Sequence, residues 1–355
     1  MHRQDNLFDR RGFLVAGSAL GAVALGHPVH SATPDHPHAK DWEWLVGAWD
    51  VRHRRLRGRL SGSTQWDEFK GKSVVWTTMG GLGTIDDNIL DLPGGAYRAL
   101  GIRAFDSASG KWLIWWLDGR NPTRIDPPVL GGFEGDTGVF AGRDTFEGKP
   151  IVVRFRWRDI HGARPHWEQA FSPDDGATWE VNWVNAFTRT SLEPAPFPLI
   201  PDRRDDWSFL AGKWRVEHRR LKRRLVGNND WETFGGTFVN WPVLGGRGNV
   251  GDNLMAFPSG PFRGVGFRAF DPETGEWLSW WLDGRNPAVI GPPLRGRFEN
   301  GVGTFLSEEI VDGRTIKTRV HWSGITPTSA RWEQASSLDG LTWEVNWVST
   351  FRRDA

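Results

Sequence analysis

Three groups of polar residues occur twice in this chain at spacings that could do chemistry. In the first, His53 and Arg55 follow Trp49 and Val51 at alternate positions, and His218 and Arg220 follow Trp214 and Val216 in the same way. Alternate residues of a strand share a face, so an inward Trp49 takes Val51, His53 and Arg55 inward with it. An enclosed imidazole and guanidinium are costly unless paired or bonded to a ligand. They would hold a carboxylate or phosphate, or the histidine would act as acid or base. The competing reading has the strand leaving the interior here, so that residues 52–59 and 219–224 form a solvated basic edge that deters strand pairing with other chains. That reading suits the arginines better than the histidines.

The second group is Trp116, Asp118 and Arg120, repeated as Trp281, Asp283 and Arg285, at a strand end running into Asn-Pro. An Asp and an Arg two apart can pin the loop as an ion pair, or rim a pocket walled by the tryptophan. Asn88 and its counterpart Asn253 add a matched amide to the candidate ligand-binding set. The third group is Glu168, Glu180 and Asn182, with Glu333, Glu344 and Asn346. Two inward carboxylates would suit general acid–base or glycosidic work. The opposite face, with Trp167, Trp179, Val181 and Trp183, looks like core, which favours outward, solvated carboxylates.

Other chemistries are excluded or unsupported. The chain has no cysteine, so disulfides, thiolate nucleophiles, iron–sulfur clusters and cysteine zinc sites are out. His27, His30, His36 and His38 read as a polar spacer rather than a metal site, and no metal is assigned. No glycine-rich phosphate loop opens a helix and no Gly-x-Ser-x-Gly elbow occurs, so neither a cofactor nor a catalytic residue is assigned. Lysine and arginine total 44 against 43 aspartates and glutamates, which argues against a nucleic-acid partner.

The elements that must position these residues are legible as a duplication. An offset of 165 takes Trp42 to Trp207, Trp49 to Trp214, Trp66 to Trp231 and Asn88 to Asn253. The run Trp115-Trp116-Leu117-Asp118-Gly119-Arg120-Asn121-Pro122 returns unchanged as Trp280-Trp281-Leu282-Asp283-Gly284-Arg285-Asn286-Pro287. A near-constant offset over so many matches is a duplicated domain. Residues 1–32 read as a twin-arginine export signal, from Asp9-Arg10-Arg11-Gly12-Phe13-Leu14 and the Ala/Gly/Leu run after it. Residues 33–40 are a spacer, 41–190 the first copy, 191–205 a proline-rich linker and 206–355 the second copy. A periplasmic location follows from the signal. No apolar run is long enough for an integral membrane span.

Each copy reads as short strands between Gly, Pro, Asn and Asp clusters. Ile151, Val153, Phe155 and Trp157 alternate with Val152, Arg154, Arg156 and Arg158, the period of a half-buried strand. The second copy repeats this at Ile316, Thr318, Val320 and Trp322. Each copy opens on Gly-x-Trp (Gly47-Ala48-Trp49, Gly212-Lys213-Trp214) and closes on an aromatic-x-Arg (Phe187-Thr188-Arg189, Phe351-Arg352-Arg353). The ordered set resembles lipocalin-like (calycin) barrels, and in particular a bacterial family of calycin-type domains of unknown function. The resemblance implies an all-β chain of two tandem antiparallel barrels, each plugged at one end by its Gly-x-Trp tryptophan with a late arginine across it. Ser172-Pro173-Asp174-Asp175-Gly176-Ala177-Thr178-Trp179 fits an Asp-box hairpin of sialidase-like propellers. It recurs only once per copy, too rarely for blades, and is read as a turn.

Tryptophan is the compositional outlier, 23 residues against 21 Phe and one Tyr. Large flat rings suit both sheet cores and ligand stacking. The function expected is an exported binding protein for a small apolar or aromatic molecule in one or both barrels, with the two copies in contact. The alternatives are a hydratase, isomerase or cyclase acting on a lipophilic substrate, and an envelope interaction protein.

Overall fold

The computed structural model describes residues 36–354 apart from residue 312, so the twin-arginine segment lies outside the described residues. The chain forms two closed antiparallel barrels of ten strands each. The first comprises β1 (Gly47–Leu56), β2 (Trp66–Thr78), β3 (Gly83–Leu92), β4 (Gly95–Asp106), β5 (Lys111–Asp118), β6 (Val129–Glu134), β7 (Thr137–Phe146), β8 (Lys149–Arg158), β9 (His166–Ser172) and β10 (Glu180–Ser191). The second comprises β11 (Gly212–Leu221), β12 (Trp231–Val243), β13 (Gly248–Phe257), β14 (Gly260–Asp271), β15 (Glu276–Asp283), β16 (Leu294–Glu299), β17 (Val302–Val311), β18 (Arg314–Ser323), β19 (Ser329–Ser337) and β20 (Glu344–Arg353). Consecutive strands pair throughout. β1 closes on β10 and β11 on β20, which leaves neither barrel a free edge. The all-β, two-barrel expectation is met. Each barrel has ten strands, where lipocalins have eight.

Alternation builds the walls. On β1, Trp49, Val51 and His53 are buried while Asp50, Arg52 and Arg54 are exposed. On β8, Ile151, Val153 and Trp157 are buried and Arg158 is exposed. The Asp-box segment is a hairpin turn within the first barrel: the Asp174 carboxylate accepts from the Thr178 N–H at 2.8 Å, the Thr178 hydroxyl at 2.6 Å and the Ser172 hydroxyl at 2.7 Å.

One end of each barrel is plugged. Trp49 Nε1 donates to the Leu45 carbonyl at 2.8 Å, and the Arg189 guanidinium lies 3.9 Å from the Trp49 ring centre. Arg189 also donates to the carbonyls of Trp44 and Val46. Arg353 repeats this over Trp214 at 4.3 Å, with Phe209 and Ala211 accepting at 2.7 Å each. The opening glycine is required here. Gly47 has φ +121, and a Cβ on it would lie 2.4 Å from the Ser191 carbonyl oxygen.

Strands β3–β5 and β13–β15 depart from simple alternation because both of their faces are covered. Their outward residues, among them Ile85, Ile102, Trp115, Val250, Phe267 and Trp280, belong to one apolar cluster drawn from both barrels. The Trp76 and Trp241 rings meet there at 5.6 Å. Two hydrogen bonds related by the 165-residue offset cross between the barrels. Asp252 Oδ1 accepts from the Met79 N–H and Asp87 Oδ2 from the Leu244 N–H, each at 3.1 Å. Burial pushes the Asp87 carboxyl up to about 7, a rise that Arg98 at 3.6 Å limits. Burial likewise pushes Asp252 up to about 6.

Candidate ligand-binding lumen

The unplugged half of the first barrel gathers most of the sequence-singled residues of that copy. His53 on β1 lies opposite Phe69 on β2 and Asn185 on β10. Its ring stacks on Phe69 at 4.7 Å, and Nδ1 is 2.7 Å from Asn185 Oδ1. The Trp183 indole N–H, which can only donate, also points at Nδ1 from 3.3 Å. Nε2 is buried without a partner. Gly71 makes room for it, since a Cβ there would lie 2.4 Å from Nε2. Burial pushes the His53 pKa down to about 4, against the hydrogen bond to Asn185. The ring is therefore neutral at physiological pH and serves as a hydrogen-bonding group rather than a strong acid.

Around it, Phe69, Leu90, Tyr97 and Ala99 form a buried cluster with Trp116 and Trp183 packed against it. Arg55 sits over the Trp183 ring at 5.5 Å and Arg59 over Phe146 at 4.7 Å. Burial is the largest influence on Arg59 and lowers its pKa, with Arg55 lowering it further. The strand does not leave the barrel at Arg55. It continues to Leu56, with Arg52 and Arg54 on the outer face and Arg57 exposed just beyond it, so the solvated-edge reading holds for these three and not for Arg55. Asp118 and Arg120 form the pinning pair expected of a strand end, Arg120 Nε lying 3.0 Å from Asp118 Oδ1. Arg120 also stacks 3.7 Å over Tyr97 and so roofs the aromatic cluster. Burial, and next the Asp118 charge, push the Tyr97 phenol up to about 12.

Asn88 lies deeper and donates to Asp86 Oδ2 at 2.7 Å. Asp86 in turn holds the buried Arg103 at 2.5 Å, and Arg103 lies 4.7 Å from the Trp42 ring centre. Sequence reasoning missed Asp86, Arg103, Tyr97 and Asn185. Arg103 had a signal, its even spacing from Phe105 within the otherwise apolar or glycine run from Ala99 to Phe105. The partners on β3 and β10 depend on register, which one strand's pattern does not reveal.

The second barrel places the matching residues differently. His218 Nδ1 meets the Ser349 hydroxyl at 2.8 Å and its ring stacks on Phe234 at 4.8 Å. Burial again lowers its pKa to about 4. Arg220 is tied to Glu232 and lies 4.3 Å over Phe257. Asn253 donates to the Gly251 carbonyl at 3.0 Å. Asp283 and Arg285 pair at 2.6 Å with Arg285 over Phe262, while Trp281 is 40 % exposed.

The third group does not assemble as an acid–base pair. Glu168 pairs on the surface with Arg158 at 3.3 Å and Arg156 at 3.5 Å. Glu180 accepts the Leu60 N–H at 2.7 Å, and Glu344 the Leu225 N–H at 2.7 Å. Asn182 is buried and accepts from Gln169 at 2.8 Å. His38 bonds Asp41 at 2.8 Å and stacks on Phe105 at 4.3 Å. Among the described residues no group of three or more His, Asp or Glu side chains could hold a metal ion, and no helix is long and apolar enough to cross a membrane.

No protein-family model matches this chain, and no curated protein matches it. Among solved structures it is similar to a protein of unknown function of the DUF3598 family from Nostoc punctiforme. That similarity has 13% identity over 89% of this chain and 99% of the other, with a TM-score of 0.25. It is also similar to a variant of the vaccine antigen transferrin-binding protein B from Haemophilus parasuis, at 6% identity over 87% of this chain and 76% of that one, TM-score 0.20. Likenesses at these TM-scores carry no argument about function, which rests on the residues above.

Proposed function

We propose that this is an exported binding protein whose first barrel receives a small apolar or aromatic molecule between Phe69, Tyr97, Trp116 and Trp183. The observation that carries the reading is the buried, neutral His53, whose Nε2 has no partner beside these rings. Stacking on the rings would supply affinity, and one hydrogen bond to Nε2 would supply orientation. Arg55 and Arg120, each already stacked on an aromatic ring, frame the entrance. The two barrels act as a joined pair, a role supported by the reciprocal Asp87 and Asp252 hydrogen bonds. Periplasmic delivery by the twin-arginine route is supported by Arg10-Arg11 and by a cysteine-free chain that needs no oxidative folding.

The experiment is to purify the natively exported protein and subject its organic extract to mass spectrometry, beside the same extraction of a Trp183→Leu, Phe69→Ala variant. A small molecule stoichiometric with the wild type and depleted in the variant is the expected result. Equal recovery from both would remove the first barrel from the account.

A further inference from the structure

The two barrels differ at the group that neutralises their deepest charge. In the first, Arg103 is buried with the Asp86 carboxylate 2.5 Å away and the Thr84 hydroxyl at 3.3 Å. The 165-residue offset takes Arg103 to Arg268 but Asp86 to Gly251. Arg268 is 8 % exposed, comparable with Arg103 at 6 %. Its hydrogen-bond partner is the neutral Asn249 Oδ1 at 2.7 Å, and Trp207 lies beneath it at 4.2 Å. Burial pulls its pKa down to about 9 with no acidic group countering the pull, so it remains a cation at neutral pH. An isolated charge inside a barrel is unfavourable unless something pairs with it.

Around this cation the second copy has become more polar without becoming charged. Asn249 stands where the first copy has Thr84, Asn240 where it has Val75, and Ser279 where it has Ile114. Three buried hydrogen-bonding atoms of the cluster lack partners: Arg268 Nε, Asn249 Nδ2 and Asn240 Oδ1. The Phe238 ring takes the place of the Asp86 Cβ, 2.3 Å from where a Cβ on Gly251 would be, while the position of the Asp86 carboxylate over the next strand is less crowded. A Cβ on Gly101 would lie 2.3 Å from Asp86 Oδ1. On the matching Gly266 it would meet nothing closer than 3.8 Å, with Arg268 Nη2 on one side and the Trp281 ring on the other. Trp281 is in turn partly open to solvent. The uncrowded surface over Gly266 is therefore flanked by a guanidinium on one side and a partly exposed indole on the other.

We propose that the second barrel holds an interior site for a small aromatic carboxylate, its acid group on Arg268 and Asn249 over Gly266 and its ring against Trp281. The ligand's carboxylate takes the part that the protein's own Asp86 plays in the first barrel. The site is independent of the first-barrel reading.

The test is calorimetric titration of the full chain at neutral pH with sodium benzoate, with benzyl alcohol as neutral control and sodium chloride as free-ion control. Two variants accompany it: Arg268→Met, and Phe238→Ser with Gly251→Asp, which rebuilds the first barrel's internal ion pair with Arg268 retained. The Phe238 change is needed because a Cβ on Gly251 would lie 2.3 Å from that ring. Wild type should bind one benzoate and discriminate against benzyl alcohol. Both variants should weaken benzoate by roughly 10- to 100-fold, the worth of a charged hydrogen bond. Trp183→Leu in the first barrel should leave it unchanged. Absence of benzoate binding, binding that survives the rebuilt ion pair, or tighter binding of chloride than of benzoate would each overturn the proposal.

Discussion

Replacing His53 with glutamine removes a titrating group whose burial fixes the sign of a pH effect. Burial lowers its pKa from 6.5 to about 4, so the folded barrel keeps the ring neutral where the unfolded chain would protonate it. The stabilisation is complete above pH 6.5 and is lost as the pH falls from there through about 4. At about 1.4 kcal/mol per pKa unit the full loss is on the order of 3 kcal/mol. In a barrel of about 150 residues that corresponds to roughly 6–12 °C of Tm. His218, Asp87 and Asp252 titrate over overlapping ranges, and the two aspartates act with the opposite sign because their folded pKa values are raised. They are common to both proteins and cancel in the comparison. Scanning calorimetry of wild type and His53→Gln at several pH values from 7.5 to 4 should show the wild type losing Tm relative to the variant as the solution is acidified. A difference that stays constant with pH would mean that water reaches His53 in the folded barrel, and the burial argument for His53 would fail.

Other outcomes follow from the same geometry. Gly71→Ala places a Cβ 2.4 Å from His53 Nε2 and 2.6 Å from the Ile89 carbonyl oxygen, and should cost about 1–3 kcal/mol in urea unfolding. Gly235→Ala, whose Cβ meets nothing within 4 Å, should not. Arg189→Met removes two charge-assisted bonds and the stacking on Trp49, for a loss of about 3 kcal/mol or more by the same measurement. Asp87→Asn keeps an acceptor for the Leu244 N–H and removes a buried charge. Its Tm advantage over wild type should grow as the pH rises from about 4 through about 7 and level off above that.

The period-2 patterns of β1 and β8 made the barrel walls legible, and the 165-residue offset made the duplication legible before any coordinate. The inward face of His53 and the pinning role of Asp118 with Arg120 were also accessible, because each depends on spacing within one strand or turn. Strands β3–β5 were harder to read, since the apolar contact between barrels covers the face that would otherwise be polar. The environments of His53 and Arg103 were hidden for a different reason. Asn185 lies 132 residues from His53 and Asp86 lies 17 residues from Arg103, so closure and register bring them together rather than local pattern. The same limit concealed Arg268. Its significance appears only when the first barrel's Asp86 is superposed on Gly251.

The most direct test of the central claim is a fluorescence titration of the purified full chain with 1-naphthol, a neutral aromatic with one hydroxyl to hydrogen-bond His53 Nε2. Binding in the first barrel predicts saturable quenching of tryptophan emission that weakens at least several-fold in Trp183→Leu and in His53→Phe, with Trp347→Leu in the second barrel unaffected. Titration curves that coincide for wild type and the two first-barrel variants would contradict the account.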